Sequence, residues 1–130
     1  MDELVAFLRA RLDEEEAFAQ ATVWEGSGNK LAWERAASAT FDVGGDEFYA
    51  GDSAIANHIA RHDPARVLAD VEAKRQALAK CAEWLSYRPV GDTDVDRGSD
   101  GAYVDAAETM LRLLALPYAD HADYREEWQP

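Results

Sequence analysis

Thiol chemistry is almost missing from this chain. Its 130 residues contain one cysteine, Cys81, which excludes an intramolecular disulfide and any zinc site built on paired thiolates. Positive charge is scarce as well: 13 Lys and Arg stand against 26 Asp and Glu, for a net charge of −13. That balance repels phosphate backbones and anionic membrane surfaces, so neither direct nucleic-acid binding nor membrane binding is expected. It favours solubility and, among macromolecular partners, a basic protein. No apolar run approaches the ~18 residues that mark a membrane span. The opening MDELVAFLRARLDEEE lacks the basic start and apolar stretch of a secretory signal. The expected compartment is therefore the cytoplasm.

Reaction motifs are absent too. There is no G-x-S-x-G, no Gly-rich phosphate cradle and no Cys–His signature, and no Ser, Thr or Cys has a base at motif spacing. We assign no catalytic residue and no cofactor, and the balance points away from an enzyme. Apolar content of 48% and four Trp nevertheless argue for a folded chain. Its length is that of one domain, 1–130.

The pattern reads as α+β. Residues 2–21 form a first helix, with Leu4, Val5, Leu8, Leu12 and Phe18 near one stripe. Residues 23–50 turn at Gly26, Gly28 and Asn29 and again at Gly44-Gly45. They suit an antiparallel meander of two or three strands, whose best hairpin pairs Phe41-Asp42-Val43 with Phe48-Tyr49. Trp24 and Trp33 are expected to pack helices against this sheet.

Residues 54–87 read as helix–corner–helix. Asp52 or Ser53 caps the short helix, which ends at His62. Asp63 then caps the long helix, and Pro64 takes its first position, where a missing N–H costs nothing. Val67, Leu68, Val71, Leu78, Cys81, Ala82 and Leu85 mark the buried side of the long helix. A Gly- and Asp-rich linker spans 88–101, with Asp100 placed to cap the last helix, 102–116. That helix carries Tyr103, Val104, Ala107, Met110, Leu111 and Leu114 at three-and-four spacing before Pro117 stops it. The tail, 117–130, is polar with interleaved aromatics.

Three places invite chemistry. His58 and His62, four apart on a helix, could chelate a divalent metal with Asp63 as a third ligand. The zinc-protease pattern needs Glu after the first His, and here Ile59 stands there. The plain alternative is a pair of corner histidines, His58 edging the core. Asp92, Asp94 and Asp96 alternate like a calcium loop, but the sharp-turn Gly of the sixth position is Arg97 and the bidentate Glu of the twelfth is Tyr103. A solvated linker explains them as well, so no metal is assigned. In the tail, Tyr118, His121, Tyr124, Arg125 and Trp128 are candidates for binding a protein partner. The competing expectation is that the tail docks back along the long helix.

Three blocks carry a resemblance: LVAFLRARLDEEE (4–16), HIARHDPARVLADVEAKR (58–75) and LRLLALPYADHADYREEW (111–128), together 49 residues. They resemble a family of small proteins of actinobacteria and their phages that is defined as a domain of unknown function. The resemblance implies that origin and no assigned activity. It also implies relatives with paired cysteines, hence a zinc site, ahead of the last helix. This chain has VGDTDVDRGSDGAYVDAAETM there, without a cysteine. The resulting expectation is a non-enzymatic interaction or regulatory accessory domain. The alternative is a metal-dependent protein built on His58, His62 and Asp63.

Overall fold

A computed structural model of the chain describes residues 1–23, 31–87 and 99–130. The element order is α1 (Asp2–Gln20), β1 (Glu34–Arg35), β2 (Thr40–Val43), β3 (Asp46–Tyr49), α2 (Ser53–Arg61), α3 (Pro64–Leu85) and α4 (Ser99–Ala115). This is the α+β order expected, with the meander resolved as three antiparallel strands in the order β1-β2-β3. No described helix is long and apolar enough to cross a membrane. Trp24, the turn at Gly26 to Asn29, and the Asp92, Asp94 and Asp96 loop lie outside the described residues.

Contacts divide the chain into two units, one of Met1–Leu12 with Ala73–Pro130 and one of Asp13–Glu72. In the second unit, local chemistry sets each boundary. Gly44 and Gly45 have φ of 64° and 100°, the two positive values that a tight two-residue hairpin demands. The Asp42 carboxylate accepts the Gly45 N–H at 3.1 Å. This turn places Phe41 opposite Phe48 and Val43 opposite Asp46. The β1–β2 connection is made without glycine: Ser38 and Ala39 hold φ of 57° and 61°, a left-handed geometry that costs an L-residue roughly 1–2 kcal/mol. Thr40 Oγ1 donates to the Ala37 carbonyl at 2.6 Å and the Ala36 N–H to Thr40 at 3.1 Å, bracing that turn.

Asp52 caps α2, its carboxylate accepting the Ala54 and Ile55 N–H groups at 2.7 and 3.2 Å. At the corner, Asp63 accepts the Arg66 N–H at 2.8 Å and Pro64 opens α3. α2 lies against β1 and β2. The buried apolar residues here are small: Ala19, Ala39, Val43, Ala56, Ala60 and Val71.

The first unit has the heavier core. Leu4, Val5, Phe7, Leu8 and Leu12 of α1, Leu78 and Cys81 of α3, and Val104, Ala107, Leu111 and Ala115 of α4 are buried, with Trp128.

Three sequence expectations are corrected. Phe18 continues the α1 stripe geometrically but is 71% exposed, because the second half of α1 buries only Ala19. Tyr103 and Met110 point outward. α4 carries two adjacent apolar stripes, and only the one through Val104 and Leu111 meets the core. α4 also begins at Ser99, so Asp100 sits within its first turn rather than capping it.

Candidate functional site

At the corner, α2 buries Ala56 and Ala60, which turns the faces of His58 and His62 to solvent. His58 therefore does not edge the core. The two rings lie with centroids 4.3 Å apart, tilted by 30°. His62 Nδ1 sits 2.9 Å from the His58 carbonyl. Because a carbonyl only accepts, Nδ1 is the donor in this contact. Asp63 is otherwise engaged: Oδ1 takes the Arg66 N–H and Oδ2 takes the Trp33 N–H at 2.9 Å. With the Ala65 N–H on the Leu31 carbonyl at 3.0 Å, it ties residues 31–33 to the start of α3. The corner thus offers two imidazoles. Among the described residues no three His, Cys, Asp or Glu side chains converge as metal ligands.

The tail folds onto α1. After α4, Leu116–Tyr118 and Glu126–Trp128 form short 3-10 turns, and the rings between them gather on Phe7. Tyr118, His121 and Tyr124 meet its ring edge-on at 6.3, 5.6 and 6.1 Å, and Trp128 lies 5.0 Å away. One turn along, Arg11 lays its guanidinium 5.2 Å over Phe7 and brings Nη1 to His121 Nδ1 at 2.8 Å. The Asp123 N–H donates to the same Nδ1 at 3.0 Å. Arg125 pairs with Glu3 and covers the Trp128 ring at 5.4 Å. Arg112 donates to the Gln129 carbonyl at 3.1 Å.

The docking stripe is therefore Glu3, Phe7 and Arg11, at i, i+4, i+8 on α1, and not the long helix. From α3, Lys74 and Leu78 line a small space beside Tyr118. Trp128 is buried, Tyr118, His121 and Tyr124 are half-buried, and Arg125 remains exposed. The Tyr124 hydroxyl is buried with no hydrogen-bond partner among the described residues.

Cys81 is fully buried, and burial pushes its thiol above the ordinary value, which disfavours the nucleophilic thiolate. On the exposed side of α3, the Lys80 ammonium and then the Tyr87 hydroxyl hold Glu83 below the usual carboxylate range, Lys80 Nζ lying 2.6 Å away. This is a solvent-screened surface network.

The meander holds a feature the sequence reading passed over. Trp33, Phe41 and Phe48 stack in file across the sheet, with centroids 5.7 Å and 5.6 Å apart and planes within 25°. Together with Ala21, Thr22 and Val43 they line an open groove of about 310 Å³. Among these described side chains none carries a charge, and Thr22 supplies the one hydroxyl. The Trp33 indole N–H is buried without an acceptor among the described residues. Glu34, Asp42, Asp46 and Glu47 lie on the same three strands, against Arg35. The expected hairpin at Gly44-Gly45 sets Phe41 opposite Phe48; what the sequence reading missed is that Trp33 joins them.

No curated protein and no solved structure shows a significant match to this chain. The sequence profile of DUF6221, a family of unknown function, matches residues 1–130, and the chain belongs to that family.

Proposed function

We propose that this chain is a non-enzymatic protein-interaction domain, a cytoplasmic accessory or regulatory protein of an actinobacterium or its phage, and that its partner is a basic protein. One observation carries the reading. In the unit of Asp13–Glu72 the core is built of Ala and Val, while the large rings stand outside it. Phe18 and Tyr49 are 71% and 75% exposed, and Phe48 lines an open aromatic groove. Apolar area left in water, part of it lining a shaped groove, is what an interaction site presents. The chain's net charge of −13 steers a cationic partner toward it. A single nucleic-acid strand would also stack on such rings, but platforms of that kind need positive charge, and a net charge of −13 repels a phosphate backbone.

Quantitative affinity capture from the native lysate tests the reading, using the wild-type chain and Phe48→Asp side by side. The expected result is a basic protein retained by the wild type, lost with Phe48→Asp, and released as salt rises. Equal capture by both chains would refute the groove as the site.

The two-point His58–His62 chelate supports a second reading, because the rings already lie side by side. Calorimetric titration with zinc or nickel, repeated on His58→Ala, decides it. Absence of binding that depends on His58 removes the metal reading.

A further inference from the structure

β3 has one paired side and one open side. Two backbone bonds fix which groups face which way. The Ala50 N–H donates to the Ala39 carbonyl at 2.9 Å, and the Ala36 N–H to the Thr40 carbonyl at 3.1 Å. The pattern alternates along an antiparallel ladder, so Asp46, Phe48 and Ala50 bond toward β2 while the N–H and C=O of Glu47 and Tyr49 point away from it. Those outward groups meet no partner among the described residues, and every residue of β3 is exposed.

The side chains sort by face. Alternation puts Phe41 and Phe48 on one face with Val43, and Asp42 and Glu47 on the other. On the first face Asp46 sits beside the turn, and Arg35 donates to the Ser53 carbonyl at 3.2 Å. Across the second, the register sets Glu34 opposite Asp42 and Asp42 opposite Glu47. Carboxylates standing in file this way destabilise a sheet. A cationic side chain placed beside Glu47 relieves the repulsion.

We infer that β3 takes an added strand: an extended segment of a basic protein, antiparallel to β3, in which apolar residues alternate with Lys or Arg. This rests on the reading of the groove as an interaction site and names what enters it. Free backbone groups at every second residue are completed by another strand. Opposite Glu47, the added residue exchanges both backbone bonds and turns its side chain to the acidic face, where Lys or Arg finds its counter-charge. Opposite Phe48, it falls in a non-hydrogen-bonded pair, where side chains approach closest, and an apolar group there extends the aromatic file. A second copy is the wrong occupant, since β3 against β3 brings the Asp46 and Glu47 carboxylates of both chains together.

Calorimetric titration of the full chain with a short blocked peptide of alternating Lys and Val tests the inference. The expected result is binding that weakens with salt and protects the Glu47 and Tyr49 amides from hydrogen exchange. Methylating the backbone nitrogens of the Lys residues, which face β3, weakens binding at least about tenfold. Methylating those of the Val residues, which face away, leaves it unchanged. The same residues arranged in two blocks bind as weakly as the Lys-methylated peptide. No binding, or any other order among the peptides, overturns the inference. Tyr49→Pro should act like Lys methylation, because it deletes an outward N–H and spares the ladder to β2, while Tyr49→Thr keeps the affinity. Capture of the native partner separates the two readings. Loss with Phe48→Asp but not with Tyr49→Pro overturns strand addition and leaves the groove standing. Capture kept by both variants removes the groove reading as well.

Discussion

Replacing Phe7 by Ala should be the most damaging single truncation of the first unit. The ring is buried and contacts four tail rings, His121 among them, at 5.0 to 6.3 Å. Phe→Ala in a core costs about 3–5 kcal/mol, and each favourable ring pair adds about 0.5–1.5 kcal/mol beyond area. Much of the pair energy overlaps with the truncation, so we expect a loss of about 4 kcal/mol, roughly half the stability of an ordinary small domain.

The loss should come with release of the tail. Arg125, paired with Glu3 in the native chain, then becomes a fast tryptic site, and Trp128 loses its near-UV signal. A double-mutant cycle with Trp128→Ala by urea denaturation gives the sharpest reading. If both residues act through one dock, the double variant costs less than the sum by at least about 1 kcal/mol. Phe18→Ala, on the exposed part of the same helix, serves as control and should cost under about 0.5 kcal/mol. A Phe7→Ala loss below about 1 kcal/mol, or strict additivity with Trp128→Ala, would refute the docking account.

Tyr124→Phe should leave the dock intact and raise stability by about 1 kcal/mol in a urea melt, because it deletes a buried hydroxyl that has no partner. Asp63→Ala should cost about 2–3 kcal/mol, since one carboxylate caps α3 and also holds the Trp33 N–H; Asp63→Asn, keeping one acceptor, should fall between, as urea melts of the pair will show. Cys81 gives a pH dependence whose sign follows from its raised thiol: the folded state disfavours the thiolate, so stability is whole below the ordinary thiol value and declines as pH climbs past it. Denaturant melts of wild type should lose stability between neutral pH and about pH 10 more steeply than those of Cys81→Ala, and native Cys81 should resist thiol reagents.

The parts of the fold legible in the sequence are those fixed within a few residues of chain. Asp63-Pro64 dictates a helix start because a cap and a preset φ act locally, and Asp52 does the same for α2. Gly44-Gly45 dictates the hairpin because only that geometry joins strands across two residues. Phe7 was not legible, although it lies one residue from the recognised stripe. Its burial depends on rings more than a hundred residues away, and no periodicity encodes that partner. The two stripes of α4 show the same limit. Spacing reports that Tyr103 and Val104 each repeat along a face, but only the rest of the structure says which face is covered. In the aromatic file, the hairpin pairing of Phe41 with Phe48 is legible in the sequence, whereas the stacking of Trp33 on Phe41 depends on a turn without glycine and is not.

The ion pair between Glu3 and Arg125 closes a loop of 122 residues, and a ribosome makes its two halves at opposite ends of the job. At the usual pace of synthesis, about 5–20 residues per second, Phe7 waits on the order of ten seconds for the rings that cover it. During that interval the helix bearing Leu4, Phe7, Leu8 and Leu12 has no finished core to enter. The segment of Asp13–Glu72, whose hairpin and caps are all local, can form while the chain is still growing. The unit containing Met1–Leu12 and Ala73–Pro130 is instead assembled last and from the outside in, with the high contact order that slows folding. A chaperone that greets the nascent chain would therefore find its clearest target in the first dozen residues.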